Sequence, residues 1–259
     1  MDAPTAIAHA RKHSRYLDRL LDARPALIDA LTDTLQAHAS AAVLEDWLGQ
    51  TPFEPADEAG IKRALRHLRA RTMAHLIVRD LAGLADLDEV TEGMTLLAEL
   101  TVRVAADQAR IPLVARFGEP RSESEDGSPG AVQPFICIGM GKLGGRELNF
   151  SSDIDLIIAY TYPGETDGLT RISNAEYFAK LVQLFLKLLA DRSEYGFVFR
   201  VDLMLRPFGS AGPVAISADA MLEYYQNHGR DWERYALIKA RAVAGDVAAG
   251  EALIAQLTP

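Results

Sequence analysis

Apolar side chains recur every three or four positions through the first part of the chain, the spacing of one face of an α-helix. The repeat covers Tyr16–Leu21, Leu27–Leu35 and Ala56–Leu84, and a last stretch begins at Asp88. Gly and Pro are scarce inside these stretches, which favours antiparallel helices joined by short loops. The sequence therefore predicts a helical domain over residues 1–118.

The composition changes after this helical part. Residues 119–132 are polar and rich in Gly, Pro and Ser, which predicts a flexible linker or loop at a domain boundary. Short β-branched and aromatic runs follow and predict three buried strands. These runs are Phe135–Ile138, Ile154–Tyr160 and Phe197–Met204.

Helical patterns separate and follow these strands. The predicted helices run from Ser173 to Ser193, from Ser217 to Asn227, from Arg230 to Val243 and from Asp246 to the end. Helices mixed with strands indicate an α+β or α/β domain over residues 133–259.

The composition excludes several classes of protein. The chain has 259 residues, with 27 basic and 36 acidic side chains and a formal net charge of −9. This balance argues against broad nucleic-acid binding, which needs many cations to neutralise phosphates. No apolar run approaches the roughly 18 residues of a membrane span. The N-terminus lacks an apolar signal segment, and the single cysteine, Cys137, permits no intrachain disulfide. We expect a cytoplasmic protein that binds neither membranes nor nucleic acids.

A glycine-rich turn follows the first predicted strand, in Gly139-Met-Gly-Lys-Leu-Gly-Gly145. Its Gly-x-Gly-x-x-Gly spacing matches the dinucleotide-binding fingerprint, but no full-length helix separates it from the next strand. The nearest acids also stand at the start of that strand instead of its end. We expect a phosphate cradle of backbone N–H groups and one lysine instead. Its candidate residues are Gly139, Gly141, Lys142, Gly144 and Gly145.

Three acids are the candidate catalytic residues. Asp153 and Asp155 alternate with Ile154, so in a strand both carboxylates point to the same face. Two such carboxylates repel each other unless a cation lies between them. If the third strand is a neighbour, Asp202 completes a triad that holds two Mg²⁺ ions, or Mn²⁺ in their place, for displacement at phosphorus. We predict that Asp153, Asp155 and Asp202 are metal ligands.

Other polar side chains near these acids are candidates for binding the nucleotide phosphates. In the predicted third strand, Asp202 shares one face with two arginines. On a helix beginning near residue 230, three arginines fall on one side, where they would face phosphate or pair with nearby acids. One of the two serines before the acid pair is expected to be only a turn or cap residue. The candidates are Ser151, Ser152, Arg200, Arg206, Arg230 and Arg234, with Arg241 completing the helical set. Trp232, Tyr235 and Ile238 of the same predicted helix are expected in the core.

Three long strings carry a family resemblance. GMGKLGGRELNFSSDIDLIIAY, RVDLMLRPFGSAGPVAIS and YYQNHGRDWERYALIKARAVAGD resemble the glutamine synthetase adenylyltransferase/adenylyl-removing enzymes of the DNA polymerase β nucleotidyltransferase superfamily. These strings lie between Ile136 and Asp246. The resemblance implies an α+β fold, with a helical domain before a catalytic domain whose small mixed sheet is flanked by helices. It also implies that Asp153, Asp155 and Asp202 hold the metal ions and that Ser152 and the glycine turn lie near the phosphates.

The resemblance also implies an activity. Family members carry two nucleotidyltransferase domains, one removing AMP from a tyrosine of glutamine synthetase by phosphorolysis and the other attaching it from ATP. Asn149-Phe-Ser-Ser-Asp-Ile-Asp and Gly229-Arg-Asp-Trp-Glu-Arg-Tyr-Ala resemble the removing domain. We expect a front piece of the larger enzyme, whose partners are adenylylated glutamine synthetase, nucleotide, inorganic phosphate and a PII-type signalling protein. ATP-dependent adenylylation and a non-catalytic docking role for glutamine synthetase or PII are the alternatives.

Overall fold

The computed structural model of the chain describes residues 1–123 and 130–257. The chain is helical from Ala3 to Phe117 apart from short connections, as the apolar spacing predicted, although the four predicted stretches become six helices. The two long helices, which form the centre of this region, agree closely with the predicted third and fourth stretches. The six are α1 (Ala3–His13), α2 (Arg15–Ala23), α3 (Ala26–Thr34), α4 (Ala41–Gly49), α5 (Glu58–Leu81) and α6 (Leu87–Phe117).

Short polar side chains fix where several of these helices begin. Ser14 separates α1 from α2, and its hydroxyl accepts a hydrogen bond from the backbone N–H three residues on, at 3.2 Å. Ser40 and Asp86 cap α4 and α6 in the same way, at 3.4 Å and 2.9 Å. One such cap contributes about 1 kcal/mol, enough to favour one residue as the start of a helix.

The second part of the chain builds a small mixed sheet. Its strands are β1 (Ile136–Gly139), β2 (Ile154–Tyr160), β3 (Val201–Asp202), β4 (Ile216–Ser217) and β5 (Arg241–Gly245). Strands β2 and β5 pair antiparallel with the two sides of β1, while β3 and β4 both pair parallel with the other side of β2. The strand order is therefore β3-β2-β1-β5, with β4 beside the far end of β2.

Helices cover both faces of this sheet, which agrees with the predicted α+β class. The helices of this part are α7 (Gly141–Gly144), α8 (Asn174–Ala190), α9 (Ala218–Asn227), α10 (Asp231–Ala236) and α11 (Val247–Leu257). Alternate side chains of β1 and β2 point to opposite sides of the sheet. Cys137 and Leu156 belong to a large core shared with α4, α5, α6 and α8, whereas Ile138 and Ile157 pack with α9 and α11.

Two predicted elements are wrong. The third strand was expected over Phe197–Met204, but β3 contains only Val201 and Asp202. Before it, the N–H groups of Val198 and Phe199 donate to the Leu189 carbonyl oxygen at 2.8 Å and 3.3 Å; after it, the Asp202 carboxylate accepts a hydrogen bond from the Met204 N–H at 2.6 Å and turns the chain. The helix expected from Arg230 to Val243 ends at Ala236, and a single 3₁₀ turn leads into β5. Pairing with the free edge of β1 satisfies the backbone of this segment, so tertiary structure overrides its helical pattern.

The predicted linker lies between the two parts. Of its residues, 124–129 lie outside the described part of the chain, and the boundaries at 118 and 133 stay a prediction. At its two described ends, Arg121 forms an antiparallel bridge with Val132, and its guanidinium pairs with the Asp167 carboxylate at 2.7 Å. Among the described residues, no helix combines the length and the apolar character needed to cross a bilayer.

Candidate active site

The glycine turn lies directly against one of the candidate acids. Beyond the last residue of β1, the Met140 N–H donates to the Asp155 carbonyl oxygen at 2.9 Å. Gly141 then adopts a φ of +52°, in the left-handed region that favours glycine. A Cβ at this position would lie 3.1 Å from Oδ2 of Asp155. Gly141 therefore allows the backbone to turn close to this carboxylate, where a side chain would be in tight contact with it.

Other glycines of the turn have a packing role. A Cβ on Gly144 would lie 1.9 Å from the Lys239 carbonyl oxygen, and one on Gly139 would lie 2.8 Å from Cγ1 of Val243. Gly145 is similarly close to the Lys239 side chain, at 3.0 Å. These three glycines allow the turn to pack closely against the chain entering β5. Lys142, the cation of the predicted cradle, is exposed on α7.

Two of the three candidate acids are neighbours across the sheet. In the parallel pairing of β2 and β3, Asp155 and Asp202 are direct register partners. Asp155 is half-buried, and burial raises the pKa of its carboxyl group above the ordinary value. The negative charges of Asp202 and then Asp153 raise this pKa further. The structure thus places like charges close enough to oppose the ionisation of Asp155.

The third candidate acid, Asp153, is paired with an arginine. The Asp153 carboxylate forms an ion pair with Arg200, whose guanidinium also donates to the Ser151 carbonyl oxygen at 3.1 Å. Both members of the pair are substantially exposed. Such a pair is worth at most about 1 kcal/mol, so a competing cation or anion can separate it at small cost.

The candidate acids meet only part of the requirements of a site for a divalent cation. Within residues 1–123 and 130–257, no group of three or more His, Cys, Asp or Glu side chains is placed to hold a metal ion together. Asp155 and Asp202 supply two oxygen donors on neighbouring strands, and Mg²⁺ needs few protein carboxylates when substrate phosphates supply further ligands. Their mutual repulsion favours a cation between them. Asp153 is the third candidate ligand, and its Oδ1 is the oxygen that pairs with Arg200.

The two candidate serines differ in their surroundings. The Ser152 hydroxyl donates to Oδ1 of Asn149 at 2.7 Å and accepts from the Asn149 N–H at 3.4 Å. It therefore closes the turn before β2. Ser151 is exposed beside Arg200, with its carbonyl oxygen bound by that arginine.

The remaining candidate arginines do not lie where they were predicted. Arg206 was expected on the strand face of Asp202, but β3 ends at Asp202, and the three arginines expected on one side of a helix do not form that set. Arg206 donates to the Leu203 carbonyl oxygen at 2.7 Å and to the Gly212 carbonyl oxygen at 3.3 Å, so it stabilises the loop after β3. Arg234 donates to the Tyr225 carbonyl oxygen, and the exposed Arg230 precedes α10. The one-sided set fails because Arg241 lies in β5 and not in a continued helix.

The core position predicted for three large apolar side chains of the same segment is also wrong. Trp232, Tyr235 and Ile238 were expected in the core, but their exposed fractions are 53%, 76% and 70%. Helix α10 is short, and its buried contact is made instead by Glu233, whose carboxylate accepts from the Tyr224 hydroxyl at 2.7 Å.

Arg241 has a role that the sequence pattern did not reveal. Its guanidinium donates to the carbonyl oxygens of Leu143 and Gly144, both at 3.2 Å, and forms an ion pair with Glu99 of α6. Arg146, just after the turn, also pairs with Glu99 and with Glu92 of α6. Since 142 residues separate Glu99 from Arg241, no local spacing could have indicated this contact. Helix α6 therefore positions the glycine turn through two arginines.

Together these features define a class of protein. A helical region packs on a small mixed sheet, a glycine turn follows the first strand of that sheet, and two acids are register partners on neighbouring strands beside the turn. This is the arrangement of a nucleotidyltransferase domain.

Comparison with known proteins identifies the particular family. The family model described as glutamate-ammonia ligase adenylyltransferase matches residues 5–256. A bifunctional glutamine synthetase adenylyltransferase/adenylyl-removing enzyme of Aromatoleum aromaticum is 47% identical over 243 residues, which cover 94% of this chain and 25% of the relative. A protein of the same name from Thioalkalivibrio sulfidiphilus is 44% identical over 258 residues, or 99% of this chain and 26% of the relative. The chain belongs to the glutamate-ammonia ligase adenylyltransferase family, and it spans about a quarter of the length of these relatives.

Proposed function

We propose that this chain removes the adenylyl group from a tyrosine of glutamine synthetase by phosphorolysis. The observation that carries the proposal is the register pairing of Asp155 and Asp202 beside Gly141. The names of the relatives combine adenylyl transfer with adenylyl removal on glutamine synthetase, and the Asn149-Phe-Ser-Ser-Asp string resembles the removing domain. A cytoplasmic location and binding of a PII-type protein are part of the same proposal.

The proposed reaction exchanges one phosphorus–oxygen bond for another. An oxygen of hydrogen phosphate attacks the phosphorus of the adenylyl group, and the bond from phosphorus to the tyrosine oxygen breaks. The products are ADP and tyrosine, whose oxygen takes the proton that hydrogen phosphate carried. Two anionic groups must therefore approach each other, which requires positive charge in the site.

Side chains of this chain would bring positive charge into the site, either directly or by holding metal ions. Asp155 and Asp202 would hold the metal, joined by Asp153 once Arg200 has left it. Bound divalent cations would neutralise the phosphate oxygens and orient them for in-line displacement. The Arg200 guanidinium, released from Asp153, would bind the attacking phosphate, because its planar fork matches phosphate oxygens. Lys142 and the backbone of the glycine turn would bind the adenylyl phosphate.

The decisive test incubates the chain with adenylylated glutamine synthetase, inorganic phosphate and Mg²⁺, and measures ADP. We expect Asp155→Asn and Asp202→Asn to lower the rate by at least about a hundredfold. Asp33→Asn, an exposed aspartate of α3, should retain the wild-type rate. Removal of the metal with a chelator should stop ADP release in all variants. Wild-type rates in either site variant would contradict the proposal.

Two further arms separate the alternatives. Unmodified glutamine synthetase with ATP tests for adenylylation, which would release pyrophosphate. Capture of adenylylated synthetase without any ADP release would indicate the docking role instead of catalysis.

A further inference from the structure

A cavity of about 410 Å³ lies within the helical region, between α3, the end of α4 and the middle of α5. This volume is in the range of small-molecule sites. None of the residues that line the cavity belongs to the candidate active site. The lining residues used below are Arg24, Leu27, Ala30, Trp47, His67 and Arg71.

The lining of this cavity contains cationic side chains and no acidic one. Among the described residues, neither Arg24 nor Arg71 forms an ion pair. The charges of Asp46 and Asp33 act on Arg71 through space, but neither acid lines the cavity. In a chain with a net charge of −9, two arginines without a paired acid make the cavity a site of locally positive potential.

Aromatic rings hold both guanidinium groups in place. The Arg71 guanidinium lies over the Trp47 ring, 4.4 Å from its centroid, and its Nη1 donates to Oε1 of Gln50 at 2.5 Å. The Arg24 guanidinium lies 5.5 Å from the centroid of the Tyr195 ring, and its Nη2 donates to the Tyr195 carbonyl oxygen at 3.2 Å. Both cations are therefore positioned before a ligand arrives, which lowers the entropic cost of binding.

The cationic side chains of the cavity keep accessible donors. Nε of Arg24 and Nη2 of Arg71 make no hydrogen bond among the described residues, and neither nitrogen is fully buried. The same holds for both ring nitrogens of His67. Burial, and then the charges of Arg24 and Arg63, lower the pKa of His67, so its ring stays uncharged at neutral pH. A ligand can reach these atoms without contacting the nitrogens of the same arginines that are buried.

We propose that this cavity binds a small organic carboxylate, whose oxygens accept hydrogen bonds from Arg24 and Arg71 and whose apolar part packs on Leu27 and Ala30. The planar fork of an arginine matches the two oxygens of a carboxylate. The apolar wall favours an organic anion over a hydrated inorganic one. Because the cavity shares no residue with the candidate active site, this inference does not depend on the proposed function.

The test measures binding of para-fluorobenzoate to the chain by fluorine NMR, with para-fluorobenzamide as the uncharged counterpart. The two probes have the same fluorinated ring, so their difference in affinity reports on the carboxylate. Arg24→Met and Arg71→Met each keep the apolar stem and remove one guanidinium. Arg171→Met, an exposed arginine between β2 and α8, changes the net charge equally and is the control.

We expect each cavity variant to weaken binding of para-fluorobenzoate about tenfold, because a charge-assisted hydrogen bond is lost. The Arg171→Met control should bind this probe like the wild type. The amide should bind the wild-type chain at least about fivefold more weakly than the carboxylate. Inorganic phosphate should displace the carboxylate only at about tenfold higher concentration, since it gains nothing from the apolar wall.

Several results would overturn the inference. Unchanged affinity in both cavity variants would do so, as would an equal loss of affinity in the Arg171→Met control. Equal binding of the amide would show that the guanidinium groups are not used, and equally effective displacement by phosphate would show that the apolar wall is not used. A wild-type chain that does not bind the carboxylate would have the same consequence. Circular dichroism checks folding, and if one variant unfolds, the other decides the outcome.

Discussion

Asp155 of β2 and Asp202 of β3 are direct partners across a parallel strand pair, so their side chains are neighbours on one face of the sheet, beside the glycine turn. Uncharged side chains at these two positions would give a more stable fold, because burial and the charges of Asp202 and Asp153 oppose the ionisation of Asp155 and raise its pKa. An arrangement that costs stability but gathers oxygen donors is typical of a functional site.

This repulsion predicts a stabilising substitution. A carboxyl group whose pKa is raised on folding favours the folded state at low pH and opposes it as pH rises through that pKa. We expect Asp202→Asn to raise the free energy of unfolding at pH 7 by about 1 kcal/mol and to lose this gain in acid. The asparagine oxygen still accepts the Met204 N–H. Denaturant unfolding at pH 7 and pH 3 measures the effect, and Asp33→Asn is the control. A lower stability at pH 7 would contradict the repulsion.

Two glycine substitutions separate the effect of backbone strain from the effect of a side chain in contact with Asp155. Gly141→Ala places a Cβ 3.1 Å from Oδ2 of Asp155, and the residue also has a positive φ. Gly83→Ala has a comparable φ of +69° but meets nothing within 4 Å. Both should lose about 1 kcal/mol of stability from the strained conformation. Only Gly141→Ala should also weaken Mg²⁺ binding, measured by calorimetry. Equal Mg²⁺ affinity in the two variants would argue against a site at Asp155.

The contact between Glu99 and Arg241 predicts a long-range effect on the glycine turn. Arg241→Met leaves the carbonyl oxygens of Leu143 and Gly144 without this donor and Glu99 without one of its cations. We expect a loss of about 1–3 kcal/mol in unfolding free energy and weaker binding of pyrophosphate.

The matched control for this contact is Arg103→Met. Arg103 pairs with Glu45, and both side chains are about half exposed, so its loss should cost less than about 1 kcal/mol. Similar losses in the two variants, or unchanged pyrophosphate affinity in Arg241→Met, would show that the turn does not depend on α6.

Buried Arg66 predicts the largest stability change. Its guanidinium donates to the carbonyl oxygens of Lys62 at 3.0 Å, of Leu188 at 3.0 Å and of Gly196 at 2.8 Å, and also to that of Asp191. It thereby ties α5 to the end of α8 and to the loop that leads into β3. Arg66→Met should cost about 2–4 kcal/mol, since several buried acceptors lose their donor at once.

Arg63→Met on the exposed side of α5 is the comparison, with an expected change within about 0.5 kcal/mol. Urea unfolding of both variants measures the difference. A change at Arg66 no larger than that at Arg63 would contradict its structural role.

The local pattern of apolar and polar residues was sufficient to predict much of the secondary structure. Apolar spacing predicted α5, α6 and α8, and β-branched runs predicted β1 and β2, because each of these elements buries one or both faces and its side chains follow a single period. The α+β class and the family resemblance, both predicted from the chain alone, are confirmed. The strand–turn–strand order around Gly141 likewise follows from residues that are close in sequence.

Contacts between distant residues decided the rest. Residues 241–245 form a strand because β1 offers a free edge, which no local period can show. Asp153 forms an ion pair with Arg200, and Arg241 binds the turn instead of extending a row of arginines. Each of these outcomes depends on which hydrogen-bond donors and charges the fold brings together. The sequence by itself determined the elements and their candidate chemistry, whereas the tertiary structure decided which charged groups meet, since electrostatic and hydrogen-bond partners act through space and not along the chain.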